Sequence, residues 1–385
     1  MPTTKIKNIL YQMALPFCAP GCEKDPVKTV DGHELITYDR FTGMVRKHHV
    51  LGSATMISDG NDLSVICTFS EKPRHYASEE MFFRVASITK IATAALVMRL
   101  IDMQLMDADR PVNDYLSACD RLPALSGITL RHLMSHTSGL IDPPDLESSL
   151  VSGKPFPDIL DKAVCSEPGA AFHYSNLGFG LIGCILESVI SKPVGTVFDE
   201  YLFAPLGMNA TLEGCLLPSS MIMPVTRILP YRPGKDLILT ELGSVPLLQP
   251  DPLRHYGHTA GSMYTDVLSL RKLLIALNSD DAGFLSDTAR TEMKKEHASY
   301  GRLSPTLSYG LGLLRIKDPY LSDDIIYGHQ GFAYGCADGA FWEEKTKRIM
   351  ITLNGGCSEA RKGRLGMANR AFLHWAFTEE LPRWL

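Results

Sequence analysis

The segment from Ile88 to Met103 constrains the fold more than any other part of the chain. Ile88, Ile91, Ala94, Ala95, Leu96, Val97, Met98, Leu100 and Ile101 place apolar side chains on almost every face of a helix. A helix apolar all round must be covered on all sides, so it predicts a central helix inside a layered fold. Arg99 and Asp102 interrupt it well short of the roughly 18 apolar residues of a membrane span.

Strand signals lie at both ends of the sequence. Leu51 to Ile57 and Leu63 to Phe69 flank Asp59-Gly60-Asn61-Asp62, a turn sequence that closes hairpins. Tyr309 to Ile316, Ile325 to Gly328, Ala337 to Trp342 and Arg348 to Asn354 read as further strands, and a helix around Leu365 to Phe377 closes the chain. Between them the pattern is helical, as at Leu177 to Ile190, with a proline-rich irregular stretch at 214–258. Strands from both termini around a helical middle predict an α+β fold: an α/β lobe with an antiparallel sheet, plus an inserted, mostly helical lobe.

With 385 residues and 45% hydrophobic content, the chain can bury a large core. Its 38 basic and 43 acidic residues give a net charge of −5 with no basic run, which argues against nucleic acid and anionic membrane surfaces as partners. Nine unpaired-looking cysteines favour a reducing compartment. The cytoplasm is therefore the expected location. The alternative is export or lipid anchoring through a weak N-terminal signal, in which Lys5 and Lys7 precede the apolar run Ile9 to Phe17.

Ser87 stands at the start of the buried helix and Lys90 three residues on, so the two share a face. A serine hydroxyl needs a base, and a lysine becomes one when burial lowers its pKa from about 10.4. The spacing alone does not decide this, because Ser87 also suits a helix cap and a second S-x-x-K occurs at Ser269 to Lys272. Two further groups give it company. Tyr174-Ser175-Asn176 precedes a helix and offers a phenol and an amide; His329-Gln330-Gly331 lies at a strand edge, followed by Phe332. A rival His255-Tyr256-Gly257 lacks a strand.

Ser87-x-x-Lys90, Tyr174-x-Asn176 and His329-x-Gly331 together resemble the signature of the serine β-lactamase and penicillin-binding-protein superfamily. Within it the chain is similar to the class C β-lactamase-like branch, with its D-aminopeptidases, D-Ala-D-Ala carboxypeptidases, esterases and acyltransferases. Leu130 to Leu140, Tyr174 to Gly178, Pro205 to Met208 and Ala260 to Asp266 extend the likeness, which runs from about 50 to 380. The resemblance implies a β-lactamase/transpeptidase-like fold: an extension at 1–34 and one catalytic domain at 35–385. Its α/β lobe would take about 35–86 and 305–385, its helical lobe about 87–304.

The resemblance also implies roles. Ser87 would be the acylated nucleophile, and Lys90 and Tyr174 the paired proton acceptors, their order open. Asn176 would orient substrate, and the N–H groups of Ser87 and Phe332 would form the oxyanion hole. Efficient β-lactamases of this branch carry Lys-Thr-Gly at the third motif, where the lysine helps to hold the substrate carboxylate. His329 here offers a hydrogen bond more than a fixed charge, so β-lactam hydrolysis ranks low. The implied function is a serine hydrolase without cofactor or metal, cleaving a small ester, an amide or a short D-amino-acid peptide through acyl-Ser87. An acyltransferase, a β-lactamase or a non-catalytic penicillin-binding sensor is the alternative.

Several patterns are read as structural. Gly178-Phe179-Gly180-Leu181-Ile182-Gly183 spells a dinucleotide fingerprint, but it continues into a helix without a βαβ unit, which makes close packing the expected reason for its glycines. His132 and His136 stand at i and i+4, as zinc ligands can, with no third ligand apparent, and are expected to end a helix. Cys357 is expected to be a packing thiol.

Overall fold

In the strands that build the centre of the molecule, successive residues divide between two cores. Met56, Trp342 and Ile351 join one, and their neighbours Ile57, Phe341 and Met350 join the other. This is period-2 alternation in a sheet covered on both faces. The computed structural model describes residues 9–15, 38–59, 62–69, 77–117, 121–229, 231–233, 246–279 and 283–378. The hairpin turn at Gly60-Asn61 and most of the 1–34 segment lie outside them.

The strands of the main sheet are β1 (Ser53–Asp59), β2 (Asp62–Phe69), β3 (Ala298–Ser299), β4 (Leu307–Tyr309), β5 (Leu314–Ile316), β6 (Ile326–Ala333), β7 (Cys336–Glu343) and β8 (Ile349–Asn354). They form one sheet in the order β2-β1-β8-β7-β6-β5-β4-β3, antiparallel throughout. The register sets Ser53 of β1 opposite Asn354 of β8, so both ends of the chain complete the sheet. Every residue of β7 and β8 is buried.

The helices that matter here are α1 (Tyr38–Lys47), α2 (Thr89–Asp102), α3 (Leu130–Met134), α4 (Asn176–Ile190), α5 (His258–Gly261), α6 (Val267–Asn278) and α7 (Met367–Thr378). One face of the sheet carries α7, which packs on β7 and β8 and is backed by α1, Phe41 meeting Phe372 and Trp375. On the other face α6 packs on β1, β7 and β8. The all-round apolar segment is α2, buried from Thr89 through Met98 and again at Leu100. It runs through the large core between the sheet and α4. No single described helix is long and apolar enough to cross a membrane. Within the 1–34 segment, residues 9–15 are helical and dock on the domain: Leu15 packs with Leu51 and Ile228, and the Glu359 N–H donates to the Tyr11 hydroxyl.

The strand expected over Tyr309 to Ile316 is two strands, β4 and β5, folded back on each other. Gly312 explains the break. It holds φ +68, and a Cβ there would come within 2.7 Å of the Lys90 carbonyl oxygen and 2.4 Å of Ala94, so the turn presses directly on α2. The fold of β5 has a second effect. It pairs with β6 only as far as Gly328, which leaves the rest of β6, from His329 to Ala333, as an edge packed on the chain entering α2.

Candidate active site

The entry to α2 is a built turn. Phe83–Arg84 pairs with Tyr264–Thr265, and the Val85 N–H donates to Met263 O. Ala86 then takes φ +47, a left-handed conformation that costs a non-glycine residue energy and must be held in place. Thr89 does the holding, since its hydroxyl donates to Ala86 O at 2.6 Å and accepts from the Met263 N–H at 3.1 Å. The result is a single 3₁₀ turn, Ala86–Ile88, that offers Ser87 at the start of the buried helix while Ala86 and Ile88 point inward.

One turn on, Lys90 is fully buried. Its Nζ lies 2.6 Å from Ala260 O, 2.8 Å from Asn176 Oδ1 and 3.2 Å from Ser87 Oγ, beside the rings of Tyr174 and Phe179. The orientation of the Asn176 amide is fixed by Asp142, whose Oδ2 accepts from Asn176 Nδ2 at 2.7 Å. Asp142 Oδ1 accepts from the Leu177 N–H and the Ser175 hydroxyl, which pins the carboxylate at the α4 N-terminus where the helix dipole favours it. Ser175 caps α4 in turn, accepting from the Gly178 N–H.

These contacts determine what a neutral Lys90 can do. A neutral amine has two N–H donors and one lone pair. Ala260 O and Asn176 Oδ1 can only accept, so they take both N–H groups and the lone pair is left for the Ser87 proton. Burial lowers the Lys90 pKa to about 7, with Asp142 opposing the shift and Arg84 adding to it. An amine with such a pKa can take up a proton at neutral pH. Tyr174 completes the group, its hydroxyl donating to Ser87 Oγ at 2.9 Å. Burial pushes its pKa far up, with the Ser87 bond opposing, so the phenol keeps its proton.

The third motif forms the wall opposite. Gly331 is the point of closest approach, since a Cβ there would lie 2.2 Å from Val85 O. His329 does not reach Ser87. It is buried, with Nε2 2.9 Å from the Tyr309 hydroxyl and Nδ1 2.6 Å from Gln330 O. Burial, then the charge of Lys90, lowers its pKa to about 3, so the ring stays neutral. Gln330 and Phe332 face the other way. Gln330 donates to Arg364 O and accepts from the Gly366 N–H, which straps the Arg361–Gly366 hairpin to β6. The Phe332 ring lies under the Arg361 guanidinium at 3.9 Å.

A family model described as Beta-lactamase matches residues 39–356. The chain belongs to the Beta-lactamase family. Among curated proteins, the D-alanyl-D-alanine-carboxypeptidase/endopeptidase AmpH of Escherichia coli (strain K12) is 28% identical over 175 residues, covering 42% of this chain and 44% of that protein. Penicillin-binding protein 4 of Amycolatopsis lactamdurans is 26% identical, covering 45% and 48%. The chain thus spans less than half the length of either relative. Esterase EstB of Burkholderia gladioli is 24% identical over 66% of this chain and 74% of the esterase. Among solved structures, EstCE1, a hydrolase with promiscuous acyltransferase activity, superposes with a TM-score of 0.68 at 20% identity, covering 87% of this chain and 98% of that one. The D-amino acid amidase from Ochrobactrum anthropi SV3 superposes with a TM-score of 0.67 at 23% identity, covering 87% and 94%. At such identities the two structures establish the β-lactamase/transpeptidase fold, which is α+β as the sequence pattern implies.

In this Beta-lactamase family chain the first two motifs meet directly: Ser87, Lys90, Tyr174 and Asn176 share one hydrogen-bonded cluster. The remaining motif residues surround it without bonding to it. Three members of the site stand outside the three motifs, although His136 and Ala260 lie in the Leu130–Leu140 and Ala260–Asp266 segments that extend the likeness. Ala260 acts through its carbonyl, Asp142 is a lone acid before two prolines, and His136 lies beneath the Tyr174 ring at 4.3 Å. A helix does end at this pair, as expected, but His136 does not share its face with His132. Helix α3 ends at Met134, and His136 turns back at φ +59 to face the site. His132 Nδ1 instead accepts from the Thr129 N–H. In the Gly178–Gly183 run, a Cβ at Gly180 would lie 1.6 Å from Tyr256 O, so the glycine admits a close backbone approach.

Proposed function

We propose that the protein is a serine hydrolase that cleaves small esters or amides, D-amino-acid peptides among them, through an acyl-Ser87 intermediate. One observation carries the reading: Ser87 Oγ lies between Lys90 Nζ at 3.2 Å and the Tyr174 hydroxyl at 2.9 Å, and both other partners of Lys90 are pure acceptors. In the first step Ser87 Oγ bonds to the substrate carbonyl carbon and its proton passes to Lys90 Nζ. The carbonyl oxygen becomes an oxyanion, held by the N–H groups of Ser87 and Phe332; loss of one such donor typically costs about 3 to 4 kcal/mol. The bond to the leaving group then breaks. Tyr174 supplies a proton to the departing oxygen or nitrogen and regains one from Lys90. Water repeats the sequence on the acyl-enzyme and releases the acid.

Names among the relatives, an esterase and a D-alanyl-D-alanine-carboxypeptidase/endopeptidase, support an ester or D-peptide substrate. The neutral His329 supports ranking β-lactams below these, since the third motif holds no cation to pair with a carboxylate. The test compares wild type with Ser87→Ala on a short-chain p-nitrophenyl ester, a D-alanyl p-nitroanilide and a chromogenic cephalosporin, with intact mass read in parallel. Turnover that depends on Ser87 is the expected result and shows the preferred bond. A stable penicillin adduct without turnover points to a sensor or a demanding acyltransferase, and turnover undiminished in Ser87→Ala overturns the reading.

A further inference from the structure

Tyr174 is held on both sides by one residue. The His173 N–H donates to the backbone oxygen of His136 at 2.8 Å, the Ser175 N–H donates to His136 Nδ1 at 3.1 Å, and the His136 ring lies 4.3 Å from the Tyr174 ring between them. We propose that His136 is the positioning residue of the acylation machinery, fixing the Tyr174 hydroxyl on Ser87 by bracketing its backbone and packing on its ring. The proposal rests on the acyl-enzyme reading above.

The chemistry of the imidazole supports a task beyond packing. Because Nδ1 accepts from an amide N–H, the proton of the neutral ring is on Nε2. That Nε2 is buried with no hydrogen-bond partner among the described residues, ringed by Phe172, Phe179 and Tyr309. A buried donor without an acceptor is destabilising, and the left-handed backbone of His136 adds to the strain. A phenylalanine would fill the same aromatic cage without the stranded N–H. What it could not do is accept from Ser175, the residue that both follows Tyr174 and caps α4. The acceptor at the Nδ1 position is therefore the feature that the site requires.

Three variants separate acceptor, ring and backbone. His136→Asn keeps an acceptor at the Nδ1 position and tolerates a left-handed φ; His136→Phe keeps the ring alone; His136→Gly relaxes the backbone and keeps neither. Acylation is read as the burst of p-nitrophenol from p-nitrophenyl butyrate, with the adduct confirmed by intact mass after acid quench. Amide exchange is read by mass spectrometry on peptides containing Ser175. His136→Phe and His136→Gly are expected to lose about a hundredfold in the rate of the burst, and to exchange faster at Ser175. His136→Asn is expected to stay within about tenfold of wild type and to exchange like it. Equal loss in all three variants, rescue by glycine as good as rescue by asparagine, or an active phenylalanine variant each overturns the proposal alone. Absence of any adduct in wild type, with turnover undiminished in Ser87→Ala, overturns it together with the acyl-enzyme reading.

Discussion

The amine of Lys90 lies 2.6 Å from the carbonyl oxygen of Ala260, a contact made across 170 residues of chain. With Asn176 Oδ1 it occupies two of the amine's donors and leaves the third site of Lys90 to Ser87. Since burial lowers the Lys90 pKa to about 7, kcat/KM for ester hydrolysis is expected to rise as pH passes through about 7 and to level off above it. Lys90→Ala is expected to remove this limb and at least about a hundredfold of the rate. A wild-type profile flat from pH 5 to 9 would sink the assignment of Lys90 as base.

The same burial has a consequence for stability. Between pH of about 7 and 10.5 the unfolded chain holds a proton on Lys90 that the folded chain has released. Stability therefore rises with pH across that window, and below it the penalty is constant. The difference in unfolding free energy between wild type and Lys90→Met is expected to move in favour of wild type as pH climbs from 7 to 10.5. Its ceiling is about 5 kcal/mol, at about 1.4 kcal/mol per pH unit. Urea titrations of both proteins at several pH values measure it, and parallel curves would contradict a lowered lysine pKa.

Tyr174 is expected to act as a protonated donor in the resting enzyme, because burial raises its pKa far above neutrality. Tyr174→Phe is expected to slow acylation by about a hundredfold and to leave the pH midpoint near that of Lys90. Loss of the pH limb itself in Tyr174→Phe would assign the titration to the tyrosine.

Much of this site was legible because it is local. Ser87 and Lys90 are one helical turn apart, and an all-round apolar helix announces that the lysine is dry. The sheet was legible from β-rich runs bounded by turn signals, apart from the Gly310–Gly312 fold, where two short strands share one apolar run and the pressure of Gly312 on α2 separates them. Asp142 was not legible, and for Ala260 and His136, which lie in segments that carry the likeness, the part they play at the site was not. A backbone carbonyl has no sequence signal, Asp142 finds Asn176 only after α4 docks, and His136 faces the site through a left-handed turn that helical spacing conceals.

Asp142 should tune the base. Its charge raises the Lys90 pKa against the desolvation that lowers it, and its carboxylate holds the Asn176 amide in place. Asp142→Asn is expected to move the activity midpoint to lower pH and to reduce the plateau, since an amide at 142 holds Asn176 less firmly. A midpoint that moves upward would show that Asp142 is not the charge that Lys90 senses.

Gly331 tests the fit of the two halves of the site. Its missing side chain lets β6 come within 2.2 Å, measured from a notional Cβ, of the Val85 carbonyl, two residues before Ser87. The obstacle is backbone, which cannot rotate aside, and Val85 is itself tied to Met263. Gly331→Ala must therefore push the edge strand, and with it the Phe332 N–H, away from the turn that presents Ser87. Overpacking of this kind typically costs about 1 to 3 kcal/mol. The rate is expected to fall more steeply than the stability, because the proposed oxyanion donors, the N–H groups of Ser87 and Phe332, would have to stay on both sides of one oxygen, and removing one is worth about a hundredfold or more. Melting temperature and burst kinetics on the same preparation separate the two effects. A Gly331→Ala protein with the melting temperature and burst rate of wild type would show that the strand does not close on Ser87 as described.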